Sequence, residues 1–128
     1  MILGVGVDLI EVARVRRAWA RFGERFARRI LTDAERGSLH GDPAAYLAAR
    51  LAAKEAAFKA LGTGWASGVT WRQVEILNTL SGAPEMRFSG AARRHMTERG
   101  GGDVHVSLTH TAGHAAAVVV IEKGPVTR

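Results

Sequence analysis

The 128-residue chain has no cysteine, few aromatic residues and no long apolar run. Without cysteine it has no disulfide framework, no thiolate zinc site and no cysteine nucleophile. That lack fits a reducing compartment. Aromatic residues make up 6%, and Trp19, Phe22 and Phe26 recur at the spacing of a helix's buried stripe. This argues against the aromatic platforms that hold single-stranded nucleic acid. No apolar stretch approaches the ~20 residues that cross a membrane. The segment Met1 to Asp8 opens without a basic region and soon meets a carboxylate, unlike a secretory signal. A soluble, cytoplasmic protein with no membrane partner is expected.

What the chain does have is apolar bulk and positive charge. Apolar residues reach 47%, enough for a real core, and the length predicts one domain over 1–128. Lys and Arg number 18 against 12 Asp and Glu, a net charge of +6. The excess is local: Arg14, Arg16, Arg17, Arg21, Arg25, Arg28 and Arg29 fall within sixteen residues. Such a surface steers something acidic toward it, whether nucleic acid, an anionic membrane, an acidic protein or a phosphorylated ligand. A solubilising helical face explains the same charge without any partner.

Hydropathy periodicity predicts an α+β fold. A strand is expected over 2–7 and a helix over 11–29, interrupted near Gly23. Thr32 followed by Glu35 is a capping box for a short helix. Asp42-Pro43 starts a long helix that Gly62 stops. Strands follow over 71–77 and 85–88, joined by the turn Ser81-Gly82-Ala83-Pro84. Ser89 caps a helix to about Arg99, which glycines 100–102 end. Residues 104–110 and 114–122 read as a hairpin. Its second strand, continuously apolar from Ala115 to Ile121, is expected to be central.

Three segments carry chemistry. Tyr46 to Leu61 is apolar nearly all round. Leu47, Leu51, Phe58 and Leu61 form one stripe at about 100° per residue, and Ala49, Ala52, Ala53, Ala56, Ala57 and Ala60 cover much of the other side. Yet it carries Arg50, Lys54, Glu55 and Lys59. Buried charge is costly unless compensated, so these four point to a site. The alternative is a solvated Glu55–Lys59 pair, worth only a few tenths of a kcal/mol. In the first strand, alternation puts Ile2, Gly4, Gly6 and Asp8 on one face. Glycine there marks close approach of a ligand or another backbone. Asp8, at the strand's end, is either the cap of the following helix or a metal or ligand carboxylate. The Gly-x-Gly-x-Asp string lacks the third glycine of a dinucleotide fingerprint. Finally, His105, Ser107 and Thr109 share a face opposite Val104, Val106 and Leu108. That face suits phosphate or another polar ligand, and no nucleophile elbow accompanies it. His105 and His110 are equally readable as ordinary surface or core histidines.

Taken together, three strings resemble a known family. They are Gly4-Val5-Gly6-Val7-Asp8-Leu9, then Arg50-Leu51-Ala52-Ala53-Lys54-Glu55-Ala56-Ala57-Phe58-Lys59-Ala60-Leu61-Gly62-Thr63-Gly64, then His105-Val106-Ser107-Leu108-Thr109-His110. Their order and spacing resemble the holo-[acyl-carrier-protein] synthases, the small bacterial type of 4′-phosphopantetheinyl transferase. The resemblance runs from about Ile2 to Glu122, and the central string is very specific. Leu51 stands where the family often has an aromatic, and Ser81-Gly82-Ala83-Pro84 replaces a commoner Asn-Gly-Lys/Arg-Pro turn. Neither departure touches the chemistry.

The resemblance implies transfer of phosphopantetheine from coenzyme A to a serine of apo acyl carrier protein, in support of fatty acid biosynthesis. It implies Mg²⁺ held by Asp8 and Glu55, with Glu55 taking the serine proton directly or through a water. Lys59 then meets the departing α-phosphate, and Gly62, Thr63 and Gly64 bring amides to phosphate or the pantetheine arm. Arg50 with His105, Ser107 and Thr109 would line the adenine and 3′-phosphate end. Arg14 meets the acidic carrier protein, with Arg21, Arg25 and Arg28 added by extension along the same segment. The implied architecture is an antiparallel sheet packed with a long central helix, a single small domain assembling as a homotrimer with sites at subunit interfaces. No nucleic-acid partner is implied. A basic nucleic-acid-binding module would account for the charge but not for Asp8 and Glu55. A non-catalytic subunit binding coenzyme A or carrier protein would have no use for the carboxylate pair.

Overall fold

Alanine decides where the long helix sits. In the computed structural model, which describes residues 1–39, 42–63 and 67–125, helix α4 (Pro43–Leu61) is buried on both flanks. The chain elements that precede it are β1 (Ile2–Glu11), α1 (Val12–Phe22), α2 (Glu24–Ile30) and α3 (Asp33–Arg36). Asp42 caps α4 by accepting from the Ala44 amide at 3.1 Å, and Pro43 fills the first turn, where a missing N–H costs nothing. Gly62 closes it in the left-handed region, φ 72°. These are the ends the sequence predicts. Among the described residues no helix is long and apolar enough to cross a membrane.

Strand β1 lies directly on α4. A Cβ on Gly4 would fall 2.0 Å from the Ala60 carbonyl oxygen, and one on Gly6 would fall 1.8 Å from that of Ala56. The two glycines therefore admit another backbone of the same chain, not a ligand and not a neighbouring subunit. The strand is longer than expected, because its antiparallel pairing with β5 (His114–Lys123) continues to Glu11 opposite His114. Asp8 consequently lies inside the strand. It does not cap the next helix: the cap position is Glu11, which makes no side-chain cap bond.

With β4 (Gly101–His110) the main sheet has the order β1-β5-β4, antiparallel throughout. The apolar strand β5 is central, and Ala115, Ala117, Val119 and Ile121 point at α4. A separate hairpin, β2 (Val74–Asn78) and β3 (Pro84–Phe88), covers the C-terminal half of α4 together with α5 (Gly90–Glu98). The strand expected from Trp71 begins only at Val74, because Trp71–Gln73 coils into a 3₁₀ turn. Gly100, φ 84°, turns the chain after α5, while Gly101 and Gly102 already belong to β4. Ser89 occupies the cap position of α5 but makes no cap bond, and Gln73 Oε1 takes the Ala92 amide instead at 3.1 Å.

On the other side α1 and α2, broken at Gly23 (φ 57°), pack Val12, Val15, Ala27 and Ile30 on Ala44, Leu47 and Ala48. The Thr32/Glu35 capping box of α3 forms as predicted. Glu35 also reaches further. Its carboxylate takes the Ile76 amide at 2.9 Å and the Lys54 ammonium at 2.6 Å. Lys54 is completely buried and donates also to the carbonyls of Ile30 at 2.8 Å and Trp71 at 3.0 Å. Burial pushes its pKa down, with the Glu35 carboxylate opposing. One ammonium thus ties α2, α3 and the Trp71 turn to the central helix.

Candidate active site

The four charges of α4 part company. Lys54 is internal and structural, so it is not one of the site charges that the sequence reading grouped together. The remaining three reach the surface or a groove. Lys59 is exposed and donates to Asp8 Oδ1 at 3.1 Å and to the Val7 carbonyl at 3.0 Å. Glu55, one turn earlier, accepts from the Trp71 indole N–H at 3.0 Å. The solvated Glu55–Lys59 bridge is therefore replaced by two separate engagements.

Strand geometry carries Asp8 toward the helix turn that holds Glu55. The strand crosses the helix in the opposite sense, Gly4 over Ala60 and Gly6 over Ala56. Asp8 is the next inward position, so it lies one turn nearer the helix N-terminus, alongside the turn that carries Glu55. Its side chain is only 18% exposed. Two part-buried carboxylates and one ammonium leave this corner one positive charge short.

Glu55 also borders a cleft. A hollow of about 270 Å³ is lined by Ile10, Arg14, Val15, Ala18, Phe26 and Leu51 as well as Glu55. Past Phe26 and Ala18 it continues into a second hollow of about 420 Å³, walled by Phe22, Arg25, Arg29 and Trp71. Arg14 and Arg25 thus edge an apolar cleft that leads to Glu55. Arg21 and Arg28 are exposed on the same two helices, Arg21 with its guanidinium 5.2 Å from the centre of the Phe22 ring.

A larger groove, about 500 Å³, opens further along α4 between Tyr46, Arg50, Asn78, Pro84, Leu108 and His110. Arg50 is buried, with its guanidinium 4.6 Å over the Tyr46 ring and its Nε without a partner among the described residues. Burial pushes the Tyr46 hydroxyl pKa up, and the Arg50 charge opposes this. An arginine held open over a groove is a ready anion receptor.

A profile of the 4′-phosphopantetheinyl transferase superfamily matches residues 4–119. The chain belongs to that superfamily. A holo-[acyl-carrier-protein] synthase of Maridesulfovibrio salexigens is 48% identical over 124 residues, covering 96% of this chain and 100% of that one. One of Methylorubrum populi is 44% identical over 132 residues, covering 98% and 97%. Among solved structures, holo-[acyl-carrier-protein] synthase from Neisseria meningitidis matches with a TM-score of 0.88 at 38% identity, over 96% of this chain and 100% of that one. The Helicobacter pylori synthase in complex with coenzyme A matches with a TM-score of 0.81 at 30% identity, over 92% and 99%.

In this phosphopantetheinyl transferase the expected site residues are not all neighbours within one chain. Asp8 and Lys59 are paired, Glu55 lines one cleft with Arg14, and Arg25 lines the adjoining one. His105, Ser107 and Thr109 stand on the outer face of the main sheet, away from α4, and His105 hydrogen-bonds Glu122 there. Arg50 is instead joined by His110, to which sequence reasoning gave no role. The strand alternation held the signal: position 110 shares the face of Leu108, not that of Thr109. The amides of Gly62 and Thr63 bond the Lys59 and Phe58 carbonyls at 3.1 and 3.0 Å, so they serve the helix end and are not aimed at a ligand. Gly64 lies outside the described residues. Among the described residues no three His, Cys, Asp or Glu side chains cluster as a metal cage. Two carboxylates with the other positions left to water and phosphate is the arrangement Mg²⁺ favours, so the donor set fits that ion.

Proposed function

We propose that this chain transfers the 4′-phosphopantetheine group from coenzyme A to a serine of apo acyl carrier protein. The products are holo acyl carrier protein and adenosine 3′,5′-bisphosphate, and the reaction serves fatty acid biosynthesis in the cytoplasm. The observation that carries this reading is the Asp8–Lys59 pair, Lys59 standing one helical turn from Glu55 and its arginine-edged cleft, in a chain nearly half identical to named synthases.

In the reaction the serine oxygen attacks the β-phosphorus of coenzyme A. The bond from that phosphorus to the bridging oxygen breaks, and its electrons leave with the α-phosphate. Asp8 and Glu55 would hold Mg²⁺, which when bound neutralises the diphosphate charge. Glu55 receives the serine proton, directly or through a water. Lys59 meets the charge that builds on the leaving α-phosphate. Arg50 and His110 offer the groove for the adenosine 3′-phosphate end. Arg14, with Arg21, Arg25 and Arg28, presents a basic face to the acidic carrier protein, steering it in by charge.

A homotrimer completes the proposal. Val5, Val7 and Leu9 remain 55%, 63% and 65% exposed on the outer face of β1. In register beside them lie Val120, Val118 and Ala116, then His105, Ser107 and Thr109. Association through this face would bury the valines and carry the three polar side chains toward a neighbour's site.

The test is intact-mass spectrometry of apo acyl carrier protein incubated with this protein, coenzyme A and Mg²⁺, beside a chelator control. A gain of one phosphopantetheine on the carrier, abolished by the chelator, is expected. No gain on several folded carriers would sink the reading.

A further inference from the structure

We infer that Trp71 is a positioning residue for Glu55. Its indole N–H donates to Glu55 Oε1 at 3.0 Å. A glutamate on a helix surface otherwise samples several rotamers, and fixing it costs side-chain entropy at the moment of reaction. Here one oxygen already accepts a bond, so the carboxylate is held in one orientation while lone pairs on both oxygens stay available. The inference rests on the reading of Glu55 as the carboxylate for the metal and the serine proton.

Trp71 is held in place from two directions. The Lys54 ammonium donates to its carbonyl at 3.0 Å, and Lys54 is pinned in turn by Glu35 at 2.6 Å. The 3₁₀ turn is fixed on its other side by Gln73, whose Oε1 takes the amides of Thr70 and Ala92 at 3.4 and 3.1 Å. The buried ion pair therefore has a reach beyond stability: it anchors the backbone whose side chain aims the carboxylate. Supporting donors of this kind commonly carry about 10- to 100-fold in metal affinity or activity. The Trp71 ring also walls the cleft that holds Phe22, Phe26 and Arg25. The side chain that aims Glu55 is thus one that a docked carrier would touch.

Trp71→Phe keeps most of the ring's packing and removes only the donor. Three measurements test the inference: Mn²⁺ affinity of the coenzyme A-saturated protein by electron paramagnetic resonance, the split between kcat and the KM for coenzyme A, and the indole N–H resonance of Trp71. W71F should bind Mn²⁺ about tenfold more weakly and lose kcat while the KM for coenzyme A changes little. In the otherwise native chain, Glu55→Gln should move the Trp71 indole resonance, which is identified by its loss in W71F. If E55Q loses Mn²⁺ binding and turnover but W71F matches the wild type in both, the Trp71 role is wrong and that of Glu55 stands. If E55Q itself keeps Mn²⁺ affinity and turnover, the reading of Glu55 fails first. Should W71F not fold, the resonance is assigned by elimination with Trp19→Phe and Trp65→Phe, and one unmoved by E55Q overturns the inference while a shifted one upholds it.

Discussion

Lys54 and Lys59 are five residues apart on α4 and meet opposite surroundings. Lys54 is wholly buried with Glu35, while Lys59 is 56% exposed beside Asp8. Removing one partner of a buried pair strands the other charge, which costs about 3–5 kcal/mol. An exposed pair contributes under about 1 kcal/mol. Lys54→Met should therefore lower stability by several kcal/mol in urea unfolding, and Lys59→Met should barely move it while sharply cutting transfer in the mass assay. Equal stabilities for the two variants would contradict this division. In the sequence the two lysines looked alike. Glu35 already had a sufficient explanation as the last member of a capping box, so nothing in the string called for a cation nineteen residues on. Glu55 and Lys59 stood out because charge on an apolar helix is anomalous wherever it occurs, and Lys54 stood out with them for the same reason. The Trp71 donor was not legible, since an aromatic in an alternating stretch reads first as core.

Elements whose ends rest on local chemistry were legible: Asp42-Pro43, Gly62, Gly23 and the Thr32/Glu35 box all sit where their residue types demand. The elements that depend on distant pairing were not. Strand β1 runs on to Glu11 because β5 lies beside it, and no residue between Asp8 and Glu11 announces that. The packing of β1 on α4 sits between these cases. Glycines at 4 and 6 marked a close approach, but their neighbour is the chain's own helix. Gly6→Ala tests how tightly this contact sets the site. Its Cβ would meet the Ala56 carbonyl at 1.8 Å, and since both groups are backbone, the strand must lift. Overpacking of this kind costs about 1–3 kcal/mol and occasionally more. The variant should lose that much in urea unfolding. It should also lose transfer activity beyond what its folded fraction explains, because Asp8, two residues on, moves with the strand. Unchanged stability would mean that β1 is not pressed on α4 as described.

For the molecule as a whole, the outer face of the main sheet is the unfinished part. Inward residues of β5 are buried against α4, yet Val5, Val7, Leu9 and Val118 stay exposed side by side. The apolar character of the central strand was plain in the sequence, in the run from Ala115 to Ile121. Among the described residues nothing in this chain covers that outer face. A contiguous apolar patch on a sheet marks an association surface, and the proposed trimer is its occupant. Val7 is central in that patch, paired with Val118, and a carboxylate there would be buried unpaired in any assembly that uses it. Val7→Glu should therefore leave the far-ultraviolet circular dichroism intact and lower the sedimenting mass from three chains to one. Transfer should fall with it, since His105, Ser107 and Thr109 lie on that same face and do not meet Asp8 and Glu55 within one chain. The melting temperature of the wild type should rise with protein concentration and that of the variant should not, as mass action requires when assembly stabilises the fold. A wild type that sediments as a single chain at full activity would remove the trimer, and with it the proposed approach of those three residues to the site.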